Sequence, residues 1–62
     1  MKEYHVLVGN RTYEITSKKD YAEERAKFLS ECFTDVDCMV THKNLNRVKG
    51  TPIYKNGEEV NG

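Results

Sequence analysis

The chain has 62 residues, and its ten Lys and Arg balance ten Asp and Glu, which gives a formal net charge of zero. Hydrophobic residues make up 37% of it, a composition that is polar for a folded domain but too apolar for a disordered one. No run approaches the roughly 20 apolar residues that span a bilayer, and the N-terminal stretch 1–9 is too short and interrupted for a signal peptide. We therefore expect a single small domain over residues 1–62, located in the cytoplasm and away from membranes.

The start of the chain predicts a β-hairpin. Two runs in which apolar and polar residues alternate are joined by Gly9-Asn10. Glycine adopts the positive φ that the first central position of a type II′ turn requires, so these two residues are typical of a two-residue loop. Such a loop predicts the following register on the apolar face: Val8 opposite Arg11, Val6 opposite Tyr13 and Tyr4 opposite Ile15. On the other face, which we expect to be solvated, His5 is predicted to lie opposite Glu14.

A helix is predicted from Lys18 to about Phe33. The segment that begins with Ser17 and ends with Asp20 has the form of a capping box, in which the Ser hydroxyl accepts a hydrogen bond from an unpaired backbone N–H. The apolar residues that follow have the spacing of a stripe that faces the core: Ala22, Ala26, Leu29 and Phe33. The helix is therefore expected to pack on the hairpin through this stripe.

The second half of the chain predicts further strands. Alternation returns from residue 36 and predicts a third strand that ends near residue 42 or 43. We expect it to lie beside the first strand and antiparallel to it, which puts the first strand between the second and the third. Residues 47–49 are a candidate short strand, and residues 53–60 a second hairpin with an Asn-Gly turn. Because an isolated hairpin is marginal in water, the segment 44–62 is expected to dock on the sheet, to pair with another chain or to stay mobile.

The predicted fold class is therefore α+β. We expect a small antiparallel or mixed sheet, built from a β-hairpin, one amphipathic helix and then one to three further strands. The helix is expected to pack on one face of this sheet.

A second stripe of residues lies beside the predicted core stripe of the helix: Tyr21, Arg25, Phe28 and Cys32. Apolar residues thus cover a wider arc of the helix than a small sheet buries. One interpretation is that Tyr21 and Phe28 flank the core with their rims exposed, which is ordinary for aromatic residues. The other is a protein interface, where aromatic residues and Arg are enriched. Because so small a core gains from self-association, we expect a homodimer.

Charge is segregated along the chain. Residues 20–37 carry six acids against two bases, whereas residues 38–57 carry no acid and four bases: Lys43, Arg47, Lys49 and Lys55. Cations interleaved with His42 and Tyr54 could contact the phosphates and bases of a nucleic acid. Four cations are few, however, and the isoelectric point is about 6.7. We favour a solvated sheet edge, where lysines discourage strand pairing.

Cysteine and histidine residues give the pattern C-x5-C-x3-H from Cys32, Cys38 and His42, with His5 as a conceivable fourth ligand. Structural zinc sites usually contain closely spaced pairs such as C-x2-C, so we predict reduced thiols and no metal. Catalysis by Cys38 and His42 would require a cleft and a third group, and so small a fold offers little concave surface. We therefore expect neither an enzyme nor a cofactor.

The leading hypothesis is a non-enzymatic protein-binding module, a homodimer that regulates or inhibits a larger partner protein. Compact proteins of this size are often accessory or inhibitory proteins of phages and other mobile elements, and size alone suggests that origin here. The alternative is a small nucleic-acid-binding protein that uses the basic segment 42–55.

Overall fold

The computed structural model describes residues 2–60, in which one helix packs on a five-stranded sheet. The elements in chain order are β1 (Tyr4–Val8), β2 (Arg11–Thr16), α1 (Lys19–Cys32), β3 (Cys38–Thr41), β4 (Ile53–Lys55) and β5 (Glu58–Val60). The strand order is β2-β1-β3-β4-β5, and every pair of neighbours is antiparallel. The predicted α+β fold is confirmed, as is the position of β1 between β2 and β3. Met1, Asn61 and Gly62, which belong to the predicted N-terminal stretch and C-terminal segment, lie outside the described residues.

The first hairpin has the predicted turn but a different register. Gly9 has a φ of 61°, and Val8 lies opposite Arg11 as predicted. A β-bulge then leaves Tyr13 without an opposite residue in β1. The observed pairs beyond the turn are Leu7–Thr12, Val6–Glu14, His5–Ile15 and Tyr4–Thr16. The predicted pairs Val6–Tyr13, Tyr4–Ile15 and His5–Glu14 are therefore wrong.

The bulge decides which side chains of β2 face the helix. Side chains alternate between the two faces of a sheet, and one extra residue shifts that alternation by one position. Glu14 consequently shares the helix side with Val6, and Ile15 shares the opposite face with His5. We call this opposite face, on which α1 does not pack, the open face. The prediction that it is solvated throughout is wrong, because His5 and Leu7 are both buried there.

The helix is one residue shorter at each end than predicted, and the capping box does not form. Its N-cap is Lys18, which has no side-chain cap hydrogen bond. The Lys18 N–H instead lies 3.2 Å from the hydroxyl oxygen of Thr16, which accepts a hydrogen bond from it. This bond holds the N–H of the N-cap residue and does not cap the first turn, so no side chain takes the role expected for Ser17. At the other end the Phe33 N–H donates to the Leu29 carbonyl at 2.8 Å.

The core between α1 and the sheet is built mostly from small side chains, with Leu29 and Tyr54 as the larger ones. Its buried members are Val6, Val8, Ala22, Ala26, Leu29, Cys38, Val40, Val48 and Tyr54. The two alanines are fully buried and allow the helix backbone to approach the sheet, mainly above β1 and β3. Phe33, the last residue of the predicted stripe, packs against this core from its rim and is only partly buried.

The C-terminal hairpin docks on the sheet and on the end of the helix. Asn56 and Gly57 have φ angles of 55° and 81°, as a type I′ turn requires. The Gly57 N–H donates to the Ser30 hydroxyl at 2.9 Å, and the Asp35 N–H donates to the Asn56 side chain at 2.8 Å. Residues 53–60 are thus strands four and five of the sheet.

The connection between β3 and β4 differs from the prediction in detail. β3 begins at Cys38 rather than at residue 36, and the Asp37 carbonyl before it accepts the N–H of Gly9 at 2.8 Å. Residues 47–49 form no full strand. They contribute a single bridge between Thr41 and Arg47 and a 3.0 Å hydrogen bond from the Val48 N–H to the Val40 carbonyl.

Candidate protein-interaction surface

A band of large side chains covers the side of α1 that lies above β2. We call it the β2 flank, and its members are Tyr13, Tyr21, Arg25, Phe28 and Cys32. The four helix residues are i, i+4, i+7 and i+11, a spacing that places them on one side of a helix. All four predicted interface residues therefore lie on this flank.

Glu14 fixes the polar part of the flank. Its carboxylate accepts a hydrogen bond from the Arg25 guanidinium at 3.0 Å, in an ion pair whose side chains are 35% and 27% exposed. The pKa of Glu14 is lowered, mainly by the neighbouring Tyr21 hydroxyl and further by Arg25. The same contact raises the pKa of Tyr21. One residue of β2 thus positions two residues of α1.

Aromatic contacts fix the rest of the flank. The Arg25 guanidinium lies 5.1 Å from the centre of the Phe28 ring, within the range of a cation–π contact. Tyr13 meets Phe33 edge to face, with ring centres 5.0 Å apart. Tyr13, Tyr21 and Phe28 nevertheless remain 49, 42 and 49% exposed. The flank is therefore an exposed aromatic surface whose side chains have defined positions.

Three residues that belong to this surface or contact it are not predicted from the sequence to do so: Tyr13, Glu14 and Phe33. Tyr13 and Phe33 were assigned to the core, and Glu14 to a pair with His5. The alternating pattern of β2 contains no signal for the bulge that brings Glu14 to the flank. The carboxylate beside Tyr21 and Arg25 therefore follows only from the folded register.

The predicted basic residues are divided between two places. Lys43, Arg47 and Lys49 are exposed in the connection between β3 and β4. Lys55 lies in β4 opposite Glu58, whose negative charge offsets its own. A shallow depression of about 550 Å³ adjoins the first group, and Lys2, Glu3, His42, Lys43 and Asn44 line it.

The cysteines and histidines considered as metal ligands or as a nucleophile are dispersed. Cys32 is exposed on the flank, whereas Cys38 is buried beneath the helix, and both thiols are free. Burial, with a smaller contribution from Asp37, raises the pKa of Cys38. His42 packs near Tyr4, with ring centres 6.3 Å apart. Among residues 2–60, no three His, Cys, Asp or Glu side chains are grouped to hold a metal ion.

His5 is the most unusual polar residue of the open face. Its ring is buried beside Thr41, its neighbour in β3. Neither ring nitrogen, nor the Thr41 hydroxyl, has a hydrogen-bond partner within the described part of the chain. The closest acid is Glu3, whose carboxylate oxygen is 3.5 Å from His5 Nε2.

Comparisons with protein-family models, curated proteins and solved structures find no match for this chain. In the segment 2–60, α1 is neither long nor apolar enough to cross a membrane, and the other elements are strands. The β2 flank is therefore the feature of this chain that points to a function.

Proposed function

We propose that the chain is a small non-enzymatic protein-binding module, which works as a homodimer and regulates or inhibits a larger partner protein. The observation that carries this proposal is the β2 flank. Aromatic residues and Arg are the residue types that contribute most to protein–protein binding, and here they form one exposed band.

The distribution of apolar side chains supports this role. A chain of 62 residues has little surface to bury and gains most from burying its largest side chains. Here the buried core is mostly Val, Ala and Cys, with Leu29 and Tyr54 as its larger members, while Tyr13, Tyr21 and Phe28 stay about half exposed. An interface accounts for this arrangement, because a partner would cover the exposed rings.

The fixed positions of these side chains support it as well. Binding has to overcome the loss of side-chain freedom, roughly 0.5–1.5 kcal/mol for each side chain that becomes ordered. Tyr21 and Arg25 already meet Glu14, and Tyr13 already meets Phe33. A partner therefore meets a surface that is largely ordered before it binds.

A non-enzymatic role in the cytoplasm agrees with the state of the thiols. The nucleophilic form of cysteine is the thiolate, and the raised pKa of the buried Cys38 disfavours it. Both cysteines are free, as is usual in a reducing compartment. The small size supports, as the setting we propose, an accessory protein of a phage or another mobile element.

Affinity capture from the native host tests this proposal. The bait is the chain itself, beside the double variant Tyr21→Ala/Phe28→Ala and the control Leu45→Asn. Leu45 is 56% exposed in the connection after β3, and Asn tolerates its positive φ of 67°, so the control removes an exposed apolar side chain away from the flank.

A partner protein should be recovered with the unmodified chain and with Leu45→Asn, and lost with the double variant. Recovery of the same partner by the double variant would contradict the proposed surface. Each bait should unfold at nearly the same temperature, so that loss of the partner cannot be attributed to loss of the fold.

A second candidate function is binding of nucleic acid through residues 42–55. It is supported by the exposed group Lys43, Arg47 and Lys49 and by the adjoining depression, which adds Lys2 and His42. The charge reversals Arg47→Glu and Lys49→Glu should abolish an electrophoretic shift at about 50 mM salt, where phosphate contacts are strong. Absence of a shift with the unmodified chain under that condition would contradict this function.

A further inference from the structure

We infer that two copies of the chain pair through their β2 strands, antiparallel to one another, and that the two β2 flanks then line one shared partner-binding groove. The inference rests on the proposed function, because the flanks are the surface proposed to bind the partner. It adds how the homodimer forms and why the binding site needs both copies.

β2 has the position and the composition of a strand that can pair with a second copy. It is an end strand of the sheet, and within residues 2–60 it pairs with β1 alone. One row of its backbone N–H and C=O groups therefore faces outward, as a template for another strand. Thr, Tyr and Ile, the residue types that favour strands, make up most of it, and Ile15 is 55% exposed.

Charge distinguishes the two end strands of the sheet. β2 carries one cation, Arg11, and one anion, Glu14, so antiparallel pairing with itself can bring opposite charges together. β5, at the other end of the sheet, carries Glu58 and Glu59. Pairing of β5 with itself would bring acids together, which disfavours it. The two sheet ends therefore differ, and only β2 is complementary to itself.

The sequence of β2 also allows a regular register with a second copy. Opposed side chains of paired strands must lie on the same face of the sheet. In one register every pair obeys this rule: Arg11 opposite the partner's Thr16, Thr12 opposite the partner's Ile15, and Tyr13 opposite the partner's Glu14. Arg11 then reaches the partner's Glu14 across the diagonal on the helix side. The bulge at Tyr13 lies at the centre, so the two-fold axis preserves it.

The pairing places both helices on the same side of one continuous sheet. Each helix lies mainly above β1 and β3, and strands are about 4.8 Å apart, so the two helix axes would be roughly 20 Å apart. Helices are about 10 Å wide, which leaves a groove about 10 Å across. Tyr21 and Phe28 of both copies form its walls, and Tyr13 of both copies lies at its floor. One copy supplies only half of this site.

Sedimentation velocity tests the pairing across concentrations from about 1 μM to about 1 mM, the range in which a moderate dimer dissociates. The unmodified chain should change from a monomer of 7.2 kDa to a species of twice that mass. Arg11→Glu gives β2 two acids, and Glu14→Lys gives it two bases. Each should weaken the dimer roughly tenfold, because two attractive contacts become repulsive. An equimolar mixture of the two variants should restore a dimer.

Two further variants keep the result interpretable. Thr12→Lys puts a charge opposite the partner's Ile15 on the open face without touching Arg25, Tyr21 or Glu14, so it should weaken the dimer even if Glu14→Lys folds poorly. Glu59→Lys changes charge at the β5 edge and should leave the dimer unchanged.

The outcomes separate this inference from the proposed function. A strict monomer at the highest concentration, or a dimer that Thr12→Lys and Arg11→Glu leave intact, overturns the pairing. If the monomer still captures a partner through Tyr21 and Phe28, the protein-binding role stands without it. If the dimer forms as described but the double variant Tyr21→Ala/Phe28→Ala captures the partner normally, the pairing stands and the proposed groove is wrong.

Discussion

The two sides of α1 differ in the side chains they carry and in how far these are buried. On the β4–β5 side, the Ser30 hydroxyl accepts the Gly57 N–H at 2.9 Å, and Ser30 is fully buried. On the β2 side, the contacts join Glu14, Tyr21 and Arg25, and large rings remain exposed beside them. On the β4–β5 side the small residues are covered by the hairpin. On the β2 side the side chains have defined positions, but nothing in the described part of the chain covers them.

The difference suggests a division of labour between folding and binding. The β4–β5 side attaches a hairpin that could not stand alone, so its contacts stabilise the fold. The β2 side contains more apolar surface than the fold itself uses. Substitutions on the first side should therefore change mainly stability, and substitutions on the second should change mainly association.

The largest effect on stability is expected for Gly57→Ala. Gly57 has a φ of 81°, and an added Cβ would lie 2.7 Å from Glu31 Cγ. The positive φ costs about 1 kcal/mol for a residue with a side chain. The contact is with the exposed side chain of Glu31, which has to leave its rotamer, so crowding should add roughly 0.5–1.5 kcal/mol. Urea denaturation measures the sum.

Gly50→Ala is the matched control for this prediction. Gly50 has a similar φ of 86°, but an added Cβ there would meet no atom within 4 Å. Its loss of stability should therefore stay near the 1 kcal/mol expected from φ alone. Equal losses for the two variants would show that the hairpin is not held closely against α1.

A smaller effect is expected for Ser30→Ala. The substitution removes the acceptor of the Gly57 N–H and should cost about 1–2 kcal/mol, because a partly buried donor is left without a partner. Ser17→Ala is the comparison, since no side-chain cap hydrogen bond forms at the N-terminus of α1. Thermal unfolding should show a clear loss for Ser30→Ala and almost none for Ser17→Ala. A larger loss for Ser17→Ala would show that the Ser17 hydroxyl does cap the helix, contrary to the structure.

Local sequence patterns predicted most of the fold. The turn at Gly9, the helix stripe with Ala22 and Ala26, and the Asn56-Gly57 turn all depend on neighbours in the chain. The docking of the last hairpin was left open because Ser30 and Gly57 are 27 residues apart. Their hydrogen bond exists only once helix and sheet are assembled, so no local pattern records it.

The candidate site was predictable only in part for the same reason. Helical spacing alone groups Tyr21, Arg25, Phe28 and Cys32 on one side of α1. Their contact with Glu14 requires the bulge in β2, which shifts the register by one residue. Regular alternation predicted Glu14 on the open face beside His5. In the structure Glu14 lies on the helix side and contacts Tyr21 and Arg25.

The smallest effect is expected for the contribution of Glu14 to stability, which should depend on pH. Its pKa lies below its usual value of about 4.5, so the ionised carboxylate stabilises the folded chain above that pH. This contribution is lost as the pH falls through the lowered pKa, because protonated Glu14 no longer attracts Arg25. The urea midpoint of the unmodified chain should exceed that of Glu14→Gln at pH 7. The two midpoints should converge at acidic pH, once the pH has fallen below the lowered pKa. A constant difference across this range would show that the ion pair contributes nothing.

The most direct test of the central claim compares amide hydrogen exchange at the two ends of the sheet. The outward N–H groups of β2 should be protected at high protein concentration and should exchange rapidly on dilution, because a second copy covers them. The outward N–H groups of β5, where Glu58 and Glu59 lie, should exchange rapidly at both concentrations. Exchange in β2 that is rapid at every concentration, or concentration-dependent protection of β5 instead, would contradict the account.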